Sequence, residues 1–240
     1  MQETFIKRLS RLLQTPTQKA WDLLESGDTQ GALDSFNHIT VRRPNDPEVW
    51  MGVGIALTTL GYHDEALLAC QRSLDLSPDH PAGLANLANV LSDLGRDQEA
   101  VMNQDRFLAL MPDDPDVLAN RGASLNNLAR YEEALVDYEH SLRLRPDVPE
   151  TLDRRAKIFF GRGNVLHNLG RYEEALSDYG LVLSLHPDDA EVLAYRGSAL
   201  AALGRHEEAL LDFDLSLTLR PDHHETLAER EATLTSLDST

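Results

Sequence analysis

The sequence contains one cysteine, Cys70, and no long apolar run. One cysteine forms no intramolecular disulfide, and the chain has no Cys-x-x-Cys motif or Cys/His cluster of the kind that binds zinc. No stretch approaches the roughly 18 to 20 apolar residues of a membrane-spanning helix, and the first residues lack the pattern of a secretory signal. We therefore expect a soluble, cytoplasmic protein with no stable membrane insertion, no metal and no cofactor.

Positive charge is scarce. The chain has 22 Lys and Arg against 40 Asp and Glu, which gives a formal net charge of −18 at pH 7. A field of this sign repels phosphate backbones and anionic membrane surfaces, so we expect no nucleic-acid partner. The 240 residues are 42% hydrophobic, which is enough for a sizeable buried core and argues against wholesale disorder.

Proline closes a Leu-rich segment at nearly equal intervals along the chain. The gaps between successive prolines are 34, 34, 34, 41 and 34 residues, and the prolines are Pro44, Pro78, Pro112, Pro146, Pro187 and Pro221. Between them the phrase Leu-Gly-x-x-x-Glu-Ala returns, for example from Leu60 to Ala66 and from Leu169 to Ala175. A fixed period of this length indicates stacked repeat units.

Each repeat has the pattern of two helices. Apolar residues recur three and four apart, as at Leu84, Leu87, Ala88 and Leu91, with polar residues between them. The glycine near the middle suits the left-handed conformation that ends a helix, and the acidic residues after it fall in the first turn of the next helix. Each unit is therefore predicted to be a helical hairpin.

Small residues fill two slots in every unit, where the two helices must approach closely. They are Ala20, Gly54, Ala88, Gly122, Gly163 and Gly197 in one slot and Ala32, Ala66, Ala100, Ala134, Ala175 and Ala209 in the other. An aromatic slot follows at Phe36, Tyr138, Tyr179 and Phe213, with Cys70 and Gln104 as departures. Over about residues 13 to 240 these spacings resemble the tetratricopeptide repeat family.

The resemblance implies an all-α protein, an α-solenoid that winds as a right-handed superhelix of six hairpin units. We divide the chain into an amphipathic N-terminal helix over residues 1–14, six units, and a capping helix over residues 224–240. The units are 15–46, 47–80, 81–114, 115–148, 149–189 and 190–223. The N-terminal helix is interpreted as a cap on the first unit, with a membrane or partner helix that uses Lys7, Arg8 and Arg11 as the alternative.

Catalytic residues are not predicted. Cys70 occupies an aromatic core slot, which favours an inert thiol over a nucleophile. The nine histidines are scattered, with His223 and His224 the only neighbouring pair, and surface or packing roles explain them better than a metal site. We therefore predict a non-enzymatic scaffold for protein–protein interaction.

In stacked hairpins the first helices line a concave groove, and this is where we place the binding site. Asparagine recurs at the groove positions although it is an indifferent helix former, and its amide can pair with the backbone of an extended peptide. The arrangement resembles the asparagine ladder of the O-linked N-acetylglucosamine transferase family. An ordinary solvated face is the alternative. The predicted peptide-binding residues are Asn86, Asn89, Asn120, Asn126, Asn127, Asn164, His167 and Asn168.

A second resemblance is incomplete. Some tetratricopeptide domains clamp the C-terminal carboxylate of heat-shock chaperones, and Asn89, Asn120 and Lys157 match that pattern. Ala85 and Gly161 stand where it has Lys and Arg. We expect no such clamp.

The fifth unit is irregular, because its period is 41 residues rather than 34. We draw the seven extra residues at 155–161, where they would lengthen the first helix by about 10 Å. One interpretation packs the apolar residues inside; the other makes the stretch a lip that contacts a partner or a second copy. The residues of the lip are Arg154, Lys157, Ile158, Phe159 and Phe160.

Two other functions stay open. In the first, the protein is a homo-oligomer that assembles through the fifth unit and its ends. In the second, the array is the substrate-recognition region of a larger glycosyltransferase-like enzyme. The identity of a peptide or protein partner does not follow from the sequence, because one repeat architecture serves many processes.

Overall fold

A computed structural model describes residues 15–145 and 151–238, and every residue assigned there to regular secondary structure is helical. The predicted N-terminal helix over residues 1–14 lies outside the described residues. Thirteen helices lie within them. They are α1 Pro16–Glu25, α2 Thr29–Arg42, α3 Pro47–Thr59, α4 His63–Leu76, α5 Pro81–Asp93, α6 Asp97–Leu110, α7 Pro115–Asn127, α8 Tyr131–Leu144, α9 Leu152–Asn168, α10 Tyr172–Leu185, α11 Ala190–Ala202, α12 His206–Leu219 and α13 His224–Asp238.

The helices pair in chain order, which confirms the predicted all-α hairpin fold. The chain divides after Pro112 into two compact parts. In the N-terminal part α1 packs on α2, α3 on α4 and α5 on α6; in the C-terminal part α7 packs on α8, α9 on α10 and α11 on α12. The last helix, α13, packs on α12 at the place of the predicted capping helix. Each predicted unit thus contains one hairpin.

The turn inside each hairpin needs a left-handed residue. Gly61 has φ +83° and Gly170 has φ +73°, as predicted for the glycine of the repeated phrase. In the fourth unit Ala129 takes the same conformation, with φ 57°. A Cβ atom is strained there, so this turn is less favourable than the glycine turns.

The small residues lie where the helices touch. A Cβ atom added to Gly163 would stand 2.7 Å from the ring of Tyr179, and one added to Gly197 would stand 2.7 Å from the ring of Phe213. Such separations are far below van der Waals contact, so only a glycine admits the aromatic ring. The predicted reason for the small residues is confirmed at these positions.

An aspartate at the N-cap position fixes the start of several first helices. The Asp114 carboxylate accepts hydrogen bonds from the backbone N–H groups of Asp116 and Val117, at 3.0 and 2.9 Å. In α5 this position is held by His80, whose Nδ1 accepts from the backbone N–H of Gly83 at 3.3 Å. A side-chain acceptor at this position satisfies donors that the helix itself leaves unpaired.

The first helices form a continuous inner face in each part. In the C-terminal part α7 contacts α9, α9 contacts α11 and α11 contacts α13, whereas α8, α10 and α12 do not contact one another over the described residues. Side-by-side contact of the first helices alone curves the stack toward them. We call the surface of α7, α9, α11 and α13 the first-helix face of the C-terminal part.

The irregular fifth unit lengthens its first helix by less than predicted. Helix α9 has 17 residues, whereas α7 has 13, so it is longer by about 6 Å rather than about 10 Å. The extra turn is N-terminal: α9 begins four residues before Ala156, which takes the place of the first residue of α7. The interpretation that placed the insertion at 155–161 is therefore wrong, because residues 156–161 are in the register of an ordinary unit.

Candidate functional site

Two predicted asparagines meet on the first-helix face of the C-terminal part. Asn168 Nδ2 donates a hydrogen bond to Asn126 Oδ1 across 3.2 Å, which joins α9 to α7. Asn126 is half-buried and Asn168 is exposed. One hydrogen bond uses only part of each amide, which has two donors and an acceptor oxygen with two lone pairs, so the pair retains capacity for a ligand.

Two other asparagines, Asn120 and Asn127, lie on α7 and are exposed. Both take part in interactions within the protein. In the N-terminal part, Asn86 and Asn89 lie on α5, the first half-buried and the second exposed. The asparagines of the C-terminal part therefore form one candidate surface, and those of α5 belong to a separate part.

Asn164 is half-buried and also bonds a residue of the core. Its Oδ1 accepts a hydrogen bond from the Tyr179 hydroxyl at 2.8 Å, and Tyr179 is completely buried beneath it. Burial raises the pKa of Tyr179, with smaller contributions from Tyr195 and Asp178, so the phenol stays protonated and can donate. Asn164 is thus held in place by the core, and its replacement would disturb the hairpin itself.

His167 is half-buried at the last turn of α9. Its ring lies edge-on to Tyr172, with the centroids 5.1 Å apart. Burial lowers the pKa of His167, against a smaller opposing effect of the Glu229 charge, so the imidazole is neutral at physiological pH. A neutral ring contributes hydrogen bonding rather than charge to the surface.

A cleft of about 300 Å³ opens on this face between α9, α11 and α13. His167 and Asn168 line one wall, and Tyr195 lines the middle with 39% of its surface exposed. The cleft is also lined by residues in the first two turns of α11 and α13, namely Glu191, Tyr195, Glu225 and Glu229. The Ser198 hydroxyl donates to a carboxylate oxygen of Glu229 at 2.7 Å, which orients that carboxylate.

The cleft residues did not stand out in the sequence, because asparagine alone marked the predicted groove positions. Glu191 and Glu225 are the second residues of α11 and α13, and Tyr195 and Glu229 are the sixth. The sixth position holds Asn86 in α5 and Asn120 in α7, counted from the first residue of each helix. The signal that could have revealed the cleft residues is their position in the helix rather than their residue type.

The fifth-unit lip is largely part of the core. Ile158 is 4% exposed, so the prediction that it contacts a partner is wrong. Phe159 and Phe160 are half-buried against the same core, Phe160 edge-on to Tyr195 with the centroids 5.5 Å apart. The guanidinium of Arg155 lies 5.3 Å from the centre of the Phe159 ring, a cation–π contact.

Two lip residues are exposed. Arg154 pairs with Asp116 at 3.1 Å, and that carboxylate also binds the buried Arg145. Lys157 is exposed on α9. A contact between copies through Arg154 and Lys157 stays a prediction.

Three ion pairs with buried carboxylates were not anticipated from the sequence. In the C-terminal part a first-helix arginine binds a second-helix aspartate through two hydrogen bonds of 2.6–2.8 Å in each of three consecutive hairpins. The pairs are Arg121–Asp137, Arg162–Asp178 and Arg196–Asp212. The signal that could have revealed them is the constant separation of sixteen residues.

Two further titratable groups lie in defined surroundings. Burial raises the pKa of the Cys70 thiol to about 12, so it stays protonated and unreactive. His223 Nδ1 lies 2.7 Å from the Thr226 hydroxyl at the start of α13. Among residues 15–145 and 151–238, no three His, Cys, Asp or Glu side chains converge as metal ligands, and no helix is both long and apolar enough to cross a bilayer.

Family models cover more than half of the chain. A model described as tetratricopeptide repeat matches residues 17–81 and 160–224, and a second model with that description matches residues 115–148. The matched segments contain complete hairpins from both parts of the chain. A comparison with the curated proteins finds no match.

Solved structures with the same fold are similar in shape and distant in sequence. They include the APC/C hetero-tetramer Cut9–Hcn1 (TM-score 0.76, 19% identity, 91% of this chain and 42% of that chain). YrrB, a TPR protein with an unusual peptide-binding site, matches with TM-score 0.65 and 21% identity over 82% of this chain and 97% of its own. PilW, a widely conserved type IV pilus biogenesis factor, matches with TM-score 0.74 and 18% identity over 91% and 96%. This chain spans less than half of the first of these, and the likeness establishes the fold.

Proposed function

We propose that this chain, which belongs to the tetratricopeptide repeat family, is a non-enzymatic cytoplasmic scaffold that binds an extended peptide segment on the first-helix face of its C-terminal part. The observation that carries the proposal is the Asn126–Asn168 amide pair, 3.2 Å apart at the edge of an open cleft of about 300 Å³. Amides that both donate and accept suit the backbone of an extended peptide, whose own N–H and C=O groups are unpaired.

The packing of this face supports the proposal. The residues beneath it, including Val165, Leu166 and Val192, are buried, so the surface amides sit on a rigid base. A rigid base limits the entropy lost when a ligand binds. Binding of a peptide is also consistent with the family, and YrrB, with its unusual peptide-binding site, is an example of the fold used in that way.

The proposal is tested with peptides selected from a random display library against the full chain. Fluorescence polarisation then measures the affinity of the selected peptides for the Asn126→Ala/Asn168→Ala double variant. We expect the affinity to fall at least tenfold, because two backbone-directed amides are lost. Asn37→Ala is the matched control, since Asn37 is exposed on the second helix α2, and it should leave the affinity within twofold.

Two results would remove the proposal. One is selection of no peptide that binds above background. The other is an unchanged affinity in the double variant while circular dichroism shows that it is folded. Photocrosslinking from a reactive amino acid at position 168 then reports whether a selected peptide lies on α9.

A further inference from the structure

The cleft between α9, α11 and α13 carries charge of one dominant sign. The ionisable side chains that line it are Glu191, Glu225, Glu229, Arg220, Tyr195 and the two histidines His167 and His223. Three carboxylates therefore face one guanidinium. His167 is neutral, because burial lowers its pKa, and His223 Nδ1 bonds the Thr226 hydroxyl. The cleft thus has a net negative charge.

An aromatic ring stands among these carboxylates. Tyr195 is 39% exposed in the cleft and is supported from behind by Phe160, whose ring meets it edge-on with the centroids 5.5 Å apart. Partial burial and then the charges of Glu191, Glu225 and Glu229 raise the pKa of Tyr195. The carboxylates therefore act at the position of the ring, and Ser198 holds one of them in a fixed orientation.

A planar cation matches this combination. A guanidinium stacks on an aromatic face and forms paired hydrogen bonds with carboxylates, whereas an ammonium is a compact and strongly hydrated charge. The volume of about 300 Å³ lies at the lower limit for small-ligand sites, which suits one inserted side chain. The Asn126–Asn168 pair lies beside the cleft, since Asn168 belongs to both.

We propose that this cleft is the specificity pocket of the first-helix face and that it binds the side chain of an arginine in the bound peptide. The inference rests on the proposed function, because the peptide backbone is assigned to the neighbouring amides. The ligand is an arginine-bearing segment, because the positive guanidinium complements the negative charge of the cleft. The strongly acidic composition of the whole chain, with net charge −18, adds to the attraction of a basic partner.

The pocket is tested directly with a small probe. N-acetyl-arginine amide is titrated into the full chain labelled with ¹⁵N, and the amide shifts of α11 and α13 are followed by NMR. The matched probe is N-acetyl-citrulline amide, which has nearly the same shape and no charge. We expect saturating shifts around Tyr195, Ser198 and Glu229 with the arginine probe, and apparent affinity at least tenfold lower with the citrulline probe.

Variants then assign the effect to the carboxylates. Glu191→Gln/Glu229→Gln should weaken the arginine probe at least tenfold. Glu231→Gln removes an exposed carboxylate of α13 that does not line the cleft and should change it less than twofold. The proposal is overturned by equal binding of citrulline, by equal binding of N-acetyl-lysine amide, by an unchanged affinity in the double variant, or by the absence of shifts around Tyr195.

The probe separates this inference from the proposed function. If the library yields peptides that bind through Asn126 and Asn168 without a preference for arginine, and the probe does not bind, the pocket fails and the scaffold function stands. If the arginine probe binds in the cleft and no peptide is selected, peptide binding fails and the pocket remains a site for a free guanidinium group.

Discussion

The guanidinium of Arg162 forms two hydrogen bonds with the carboxylate of Asp178, at 2.8 and 2.7 Å, inside the fifth hairpin. The Asp178 side chain is 2% exposed and that of Arg162 is 24% exposed. The carboxylate is therefore buried, whereas the arginine side chain keeps partial contact with water. The pair joins α9 to α10.

Removing one partner of this pair should destabilise the hairpin. Asp178→Ala leaves a half-buried arginine without its carboxylate, and we expect the free energy of unfolding to fall by about 3 kcal/mol in denaturant titrations. This value is at the low end of the cost of removing one partner from a buried ion pair, because Arg162 retains contact with water. The double variant Arg162→Met/Asp178→Leu should recover most of the loss, since it buries apolar atoms in place of both charges.

The exposed pair Arg171–Glu174 is the control for that experiment. Arg171→Gln breaks an ion pair of 2.7 Å between exposed side chains and should leave the midpoint of denaturation nearly unchanged. Equal losses in Asp178→Ala and Arg171→Gln would contradict the assignment of the large effect to burial.

Gln104 should be replaceable with a gain in stability. It fills the aromatic slot of the third hairpin, is 1% exposed, and neither of its side-chain amide atoms has a hydrogen-bond partner among the described residues. Gln104→Met keeps the shape and removes the two buried polar atoms, so we expect the free energy of unfolding to rise by about 1 to 2 kcal/mol. Thermal melts measure this.

A neighbouring substitution gives the reference for Gln104. Asn103→Met changes a half-buried residue of the same helix whose Nδ2 is already bonded to the Glu99 carbonyl oxygen, so it should not stabilise. A loss of stability in Gln104→Met would mean that the amide finds partners that the described contacts do not include.

The start of α5 should improve with the cap used by other hairpins. His80 accepts one hydrogen bond at 3.3 Å, whereas Asp114 accepts two at about 3 Å in the equivalent place. His80→Asp should stabilise the protein by about 0.5 to 1 kcal/mol, because a carboxylate also interacts favourably with the positive end of the helix dipole. The reverse exchange, Asp114→His, should lower the melting temperature, and a shift of equal sign in both variants would refute the interpretation.

A repeated surface pair should give a defined pH dependence. The hydrogen bond from Arg171 lowers the pKa of Glu174, with a smaller effect of the Arg171 and Arg162 charges and an opposing effect of burial. Because the folded pKa lies below the ordinary value, the stabilisation is present above the ordinary glutamate pKa and is lost as the pH falls through the lowered folded pKa. Carboxyl ¹³C NMR should show the Glu174 pKa rising in Arg171→Gln.

The same arrangement provides internal references for that titration. The pKa values of three other glutamates are lowered in the same way, each by a hydrogen bond from an arginine. The pairs are Arg96–Glu99, Arg130–Glu133 and Arg205–Glu208. Their pKa values should not move in Arg171→Gln. A common shift of all four glutamates would show a global change of charge rather than the loss of one hydrogen bond.

The hairpins were predictable from the sequence because their determinants are local and periodic. Gly61 and Gly170 adopt the left-handed conformation, and Gly163 and Gly197 admit the rings of Tyr179 and Phe213, as the repeat pattern requires. The length of α9 was not predictable in the same way. Helical phase tolerates a seven-residue insertion at either end, so packing against α8 decides where the extra turn lies.

The candidate site was only partly predictable. The asparagine pattern led to Asn126 and Asn168, which the fold brings within 3.2 Å, but pattern alone did not reveal that Asn164 is held by Tyr179. The cleft around Tyr195 depends on three helices that are distant in sequence, so its depth appears only after they pack. The residue type at one sequence position does not predict how deep the cleft will be.

The buried Arg–Asp pairs also determine which helices can form a hairpin together. In the fourth to sixth units the first helix carries arginine and the second carries aspartate, whereas the same two places hold Val53 and Ala69 in the second unit and Leu87 and Asn103 in the third. A helix exchanged between the two sets would bury an ion without its counterion, at a penalty of several kcal/mol. Near-identical repeats are prone to mispairing as the chain folds, and these ion pairs disfavour an exchange of helices between the second or third unit and the fourth to sixth units.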